Sequence, residues 1–168
     1  MKSKILFTVL AVFSIVGISK AQLHLGPSLI YGTSAISEPG IQVSGYLPIP
    51  QVDKLWVGGD LSFYFAHNYG TFKQSFWEVN ANAHYMFYDE KGLSAYGIGG
   101  LNLTTIHFKA YANYTGNSSS QSNPGLNLGV GGAKSMGFGL VFAELKYVIT
   151  NYDHLEIGAG VRFNIKTK

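Results

Sequence analysis

From His154 to Ile165 the chain reads HLEIGAGVRFNI, with Leu155, Ile157, Ala159, Val161, Phe163 and Ile165 alternating with Glu156, Gly158, Gly160, Arg162 and Asn164. A period of two is that of a strand with two unlike faces. Segments rich in Val, Ile, Tyr, Phe and Gly recur upstream, separated by turn-forming clusters at 33–40, 48–54, 67–74, 89–92, 116–124, 134–137 and 151–153. Seven connections predict eight strands, at 22–32, 40–48, 54–66, 75–88, 94–107, 124–134, 138–150 and 154–165. Beyond Gln22 no apolar run is long enough for a membrane-spanning helix, and no helical period appears.

The connections alternate in character: those at 48–53, 89–92 and 134–137 are tight, whereas 108–123 is long, polar and rich in Ser, Asn and Tyr. Short turns on one rim and longer loops on the other predict an all-β, eight-stranded antiparallel up-and-down transmembrane β-barrel, with short periplasmic turns and longer extracellular loops. One face carries residues such as Leu29, Val43, Leu61, Val79, Leu128 and Leu145; the other carries His24, Ser28, Gln42, Ser44, Asn80, Asn82, His84, Asn127 and many glycines. A soluble barrel of the lipocalin kind would turn the bulky set inward and cover its outside with glycine, a poor exterior strand residue. A narrow lumen suits the glycines better. The apolar face is therefore expected to meet lipid, with girdles at Tyr85, Phe87, Tyr96 and Phe163 on one rim and Tyr31, Phe63, Phe65, Trp77 and Tyr147 on the other. Strand 5 alternates less cleanly, and a bulge at Gly99-Gly100 would keep Tyr96, Ile98, Leu101 and Leu103 on that outer face.

Residues 1–21 form a separate unit. Lys2 and Lys4 precede an apolar run over 5–18, followed by Ser19-Lys20-Ala21, the order of a cleaved export signal; the barrel domain is then 22–168. Lys2, Lys4 and Lys20 are three of the twelve Lys and Arg residues, and none of the nine acids lies there, so nine of each remain. The basic balance belongs to the signal, and no nucleic-acid partner is expected. Without cysteine there is no disulfide framework, thiolate chemistry or lipid-anchoring cysteine.

The stretches AYGIGGLNLTT (95–105) and FAELKY (142–147), with the barrel pattern as a whole, resemble the small eight-stranded outer-membrane barrels of the OmpA and OmpX type, the porin-like "outer membrane protein beta-barrel domain" family. Glu156, Gly158, Val161 and Phe163 resemble the C-terminal assembly signal of that class, although Asn164 to Lys168 follow the aromatic residue. The resemblance implies residence in the outer membrane of a Gram-negative bacterium, contact with its lipid, and insertion by the barrel assembly machinery.

Candidate chemistry is sparse. Asp60, Glu78, Glu144, Lys146, Glu156 and Arg162 fall on the inward face. They are expected to pair and plug the lumen, since isolated charge there is costly; the alternatives are a gated polar pore and a catalytic carboxylate pair. His67, His107 and His154, with Asp153, fall at loop ends and form a weak rim metal candidate. No cofactor is expected. None of the five histidines is followed by serine two positions on, the pattern of outer-membrane lipid A deacylases, and no nucleophile and base signature appears, so a non-enzymatic role is expected. The 108–123 loop, with its Tyr, Asn and Ser, is the candidate surface for an extracellular ligand. An envelope-structural or surface-interaction role follows, with a passive small-solute channel as the alternative.

Overall fold

The computed structural model describes residues 22–69, 72–110 and 118–165, with the side chains of 67–69, 72, 109 and 110 set aside. The expected export signal, 1–21, lies outside the described residues. Eight antiparallel strands form one closed ring: β1 Leu23–Gly32, β2 Pro39–Pro48, β3 Leu55–Tyr69, β4 Phe72–Glu90, β5 Leu93–Ala110, β6 Ser118–Met136, β7 Gly139–Ile149 and β8 His154–Ile165. Each strand pairs with its neighbours in sequence, and β1 closes on β8 from Leu23↔Ile165 to Gly32↔Glu156. Closure satisfies both edges of every strand around the ring, the condition for crossing a hydrocarbon layer with strands.

At the short-turn end the connections follow local turn chemistry. Glu90 pairs with Leu93 across Lys91-Gly92, whose φ angles of 52° and 75° are those of a two-residue hairpin turn with both central residues left-handed. The opposite end departs from expectation. The segments read as connections at 67–74 and 108–123 are largely strand: β3 and β4 pair out to Tyr69↔Phe72, and β5 and β6 out to Lys109↔Ser118. Serine and asparagine read as loop in isolation, yet here two ladders, β4 with β5 and β5 with β6, hold the backbone extended. Residues 111–117 of the expected loop lie outside the described residues.

The expected Gly99-Gly100 bulge is absent: β5 pairs with β6 without interruption from Gly97↔Val130 through Leu103↔Pro124. Tyr96 and Ile98 therefore point inward and are buried, and Tyr96 belongs to no girdle. The pairing shifts instead between Tyr64 and His67 in β3 and between Met86 and Tyr88 in β4. Outside, Leu29, Leu61, Leu101 and Leu128 are exposed, with Tyr31, Phe63, Phe65 and Tyr147 toward one rim and Tyr85, Phe87, Phe138 and Phe163 toward the other.

Inside, large side chains sit opposite glycines. Tyr46 faces Gly58, Tyr64 faces Gly40, Tyr96 faces Gly131, Ile98 and Lys146 face Gly129, and Phe142 faces Gly160. The inward glycines thus make room for particular bulky partners across the ladder, the large-against-small filling of a narrow barrel. A Cβ on Gly131 would lie 2.5 Å from the Tyr96 ring.

Candidate functional site: the lumen and the raised rim

The period-two alternation that exposes leucines sends the polar set into the lumen, where it forms three tiers. The six charges expected there, Asp60, Glu78, Glu144, Lys146, Glu156 and Arg162, are all buried. Nearest the short-turn end, Arg162 of β8 reaches Glu144 of β7 at 2.7 Å, donates through Nε to Ser44 Oγ at 2.9 Å, and lies 3.7 Å above the Phe142 ring and 4.6 Å from that of Tyr46. Tyr96 donates to the same Glu144 oxygen at 2.7 Å. His84 lies between two aromatic rings, with centroids 4.0 Å from Tyr46 and 4.7 Å from Tyr96. Met86, Tyr96, Ile98, Ala133 and Phe142, with Trp56 against them, form an apolar cluster there, below which a hollow of 470 Å³ is lined by residues including Gln22, His24, Trp56 and Asn164.

The middle tier centres on Asp60. Its Oδ1 accepts from Gln42 at 3.0 Å and Asn80 at 2.6 Å, and its Oδ2 from Asn82 at 2.8 Å. Asn127 of β6 donates to the carbonyl oxygens of Asn80 at 2.9 Å and Asn82 at 2.8 Å, carrying the network across the interior. Lys146 joins this tier to the next, 3.7 Å from Asp60 and 2.9 Å from Glu156. Ionised partners and multiple donors per carboxylate make such a network stiff, because any member removed leaves another unsatisfied at low dielectric.

In the third tier Tyr64 donates to Glu156 at 2.5 Å, Thr104 donates to Glu78 at 2.7 Å, and His154 lies 3.5 Å from Glu78. Ile30, Ile36, Tyr64, Phe76 and Ile106 cover it, with Phe108 and Tyr152 packed against them. Ile36, 2% exposed, enters from the connection between β1 and β2.

Among the described residues the rim metal candidate is not brought together. His154 is buried in the lumen, while His107 accepts from the Trp77 indole at 2.9 Å in an exposed pair and Asp153 accepts from the Thr150 backbone amide at 2.6 Å. The side chain of His67 lies outside the described residues. Of the assembly-signal residues, Glu156 faces the lumen and Phe163 the outside. Sequence reasoning missed the lumen tyrosines: Tyr46 and Tyr64 share the parity of Ser44 and Ser62 on their strands, and that parity was the signal that placed them inside.

Above the ring, β3 to β6 continue beyond their neighbours. The pairing of β2 with β3 begins at Gly40↔Tyr64, and that of β6 with β7 at Leu126↔Ile149, so 118–125 of β6 has no β7 partner among the described residues. Ser118 to Ser122 are exposed along this edge.

A closed eight-stranded ring with an apolar outside and a charged, hydrogen-bonded inside defines an outer-membrane type of barrel. Solved structures of that type are its neighbours: Ail, the attachment invasion locus protein of Yersinia pestis (16% identity, covering 86% of this chain and 98% of that one, TM-score 0.57), Neisserial surface protein A (17%, 86% and 97%, 0.60), and the N-terminal β-barrel domain of Pseudomonas aeruginosa OprF (17%, 87% and 100%, 0.56). All are eight-stranded outer-membrane barrels, and the likeness is one of fold. No protein-family model and no curated protein matches the chain.

Proposed function

We propose that the protein resides in the outer membrane of a Gram-negative cell, delivered by a cleaved signal and inserted by the barrel assembly machinery, and acts without catalysis as a surface-interaction protein on a closed, polar-filled barrel. The observation that carries this reading is the four-stranded extension of β3 to β6 beyond the ring, which ends in the β6 edge at 118–122, exposed and without a β7 partner among the described residues. An unpaired edge offers a row of backbone donors and acceptors to an extended segment of another chain. The partner would be an extracellular protein that adds a strand, with the serines as small hydrogen-bonding neighbours. A crystal structure of Ail is in complex with the heparin analogue sucrose octasulfate, which supports ligand binding as a use of this fold without fixing the ligand here.

The test places the protein in lipid nanodiscs and screens an array of extended peptides from extracellular proteins. Binding by the parent and its loss when the exposed Ser118 and Ser120 are both replaced by lysine, a substitution that blunts strand edges, is the expected result. Equal binding by both proteins would remove the edge from the proposal. The hollow at the short-turn end favours the channel alternative, and planar-bilayer conductance above that of an empty bilayer would establish it against a closed lumen.

A further inference from the structure

Four carboxylates and two cationic side chains are buried in the lumen: Asp60, Glu78, Glu144 and Glu156 against Lys146 and Arg162. Arg162 pairs with Glu144, which leaves Lys146, in contact with Asp60 and Glu156, to balance the other three acids. Two negative charges are in excess toward the long-loop end, in an interior where uncompensated charge is costly.

The excess gathers at one point. Glu78, His154 and Glu156 are all buried, and each offers a ligand atom within 4.8 Å of the others. His154 Nδ1 lies 3.0 Å from the Tyr152 carbonyl, which can only accept, so Nδ1 carries a proton and Nε2 is the nitrogen turned toward the carboxylates. Nε2 lies 3.5 Å from Glu78 Oε1 and 3.4 Å from the Tyr64 hydroxyl. Glu78 Oε2, fully buried, has no hydrogen-bond partner among the described residues. Both carboxylates are meanwhile held by outer partners, Glu78 by Thr104 and Glu156 by Tyr64 and Lys146. An imidazole fixed through its far nitrogen to a carbonyl, beside carboxylates oriented by their own hydrogen bonds, is the arrangement that aims ligands at a metal.

We propose that Glu78, His154 and Glu156 bind a divalent transition cation of the zinc class inside the barrel. Nε2 and one oxygen from each glutamate are the ligands, a nitrogen and oxygen set that suits zinc. The two positive charges match the two in excess. Glu78 lies on β4 and His154 and Glu156 on β8, strands four places apart in a ring of eight, so the ion ties opposite walls together. The apolar lid of Ile30, Ile36, Phe76 and Ile106 lies over the tier, so the ion enters as the barrel closes.

The test folds the protein in detergent with Zn²⁺ or with chelator, desalts it, and measures bound metal by mass spectrometry, with Co²⁺ as the optical probe. Expected are about one zinc per folded barrel and visible Co²⁺ bands of a nitrogen and oxygen site. Glu78→Gln and His154→Gln, their folding checked by heat-dependent gel mobility, should lower retained metal by about tenfold or more. His107→Gln, which alters an exposed imidazole, should retain as much as the parent. A folded parent that keeps no metal overturns the proposal, as does equal retention by both lumen variants. The Co²⁺ spectrum of the parent decides the matter even where a variant fails to fold.

Discussion

Replacing Arg162 by methionine keeps most of the side chain's length and removes its charge. In the parent the guanidinium is 3% exposed, 2.7 Å from Glu144 and 2.9 Å from Ser44, with its carbon 3.7 Å from the centre of the Phe142 ring. In Arg162→Met, Glu144 stays buried with the Tyr96 hydroxyl as its remaining close donor. Breaking a buried pair by removing one member costs about 3–5 kcal/mol, because the other charge is stranded. With a urea slope of about 2 kcal/mol per molar, the unfolding midpoint falls by about 2 M. Neutralising both members removes the stranded charge, so Glu144→Gln/Arg162→Met should recover about 2 kcal/mol or more of the single variant's loss, less what the cation contributes over Phe142 and Tyr46. The assay is reversible urea unfolding in lipid vesicles, followed by tryptophan fluorescence and by gel mobility without boiling. If Arg162→Met costs the same in the Glu144→Gln background as in the parent, the pair does not act as a unit and the reasoning fails.

Two further outcomes probe the two faces of the wall. Gly131→Val should destabilise by about 1–3 kcal/mol, since its Cβ would meet the Tyr96 ring at 2.5 Å and Glu144 Cγ at 2.9 Å, whereas Gly97→Val, on the outer side with nothing within 4 Å, should be neutral or slightly stabilising by the same unfolding measurement. Leu61→Arg, at a residue 61% exposed, should cost about 2–4 kcal/mol when folding is measured into vesicles if that face meets lipid near the bilayer centre. A solvated surface would absorb the same change within about 0.5 kcal/mol, and that result would overturn the membrane reading.

The strand count and the identity of the two faces were legible because a period of two is a local property. Leu145, Tyr147, Glu144 and Lys146 declare their sides within four residues. Strand 5 misleads because Tyr96 and Ile98 look like lipid-facing residues while Gly97 and Gly99 look like lumen residues. The structure reverses both: Tyr96 fills the space opposite Gly131, and Ile98 that opposite Gly129. That exchange is made between strands, and is visible only once the register of β5 on β6 is known. The raised rim was hidden for a related reason. Ser118 to Asn123 carry no strand preference of their own, and a paired neighbour alone makes them a strand.

Site chemistry divides along the same line. That Asp60, Glu78, Glu144, Lys146, Glu156 and Arg162 share an interior followed from parity, but who meets whom did not. Arg162 joins Glu144, eighteen residues away, through adjacent strands, while the hydrogen bond of Gln42 to Glu156 spans 114 residues through ring closure. His154 illustrates the limit most sharply. Placed beside Asp153 at a loop end it reads as a rim residue, yet it is the first residue of β8 on the inward parity, two before Glu156 and four before Gly158. Extending the alternation by one step at that strand end would have put it inside, facing Glu78 across the ring. The imidazole's position, more than the number of acids, underlies the proposed cation site: carboxylates alone could be satisfied by the amides and hydroxyls around them, whereas here Nε2 of an imidazole anchored through Nδ1 lies 3.5 Å from Glu78 Oε1.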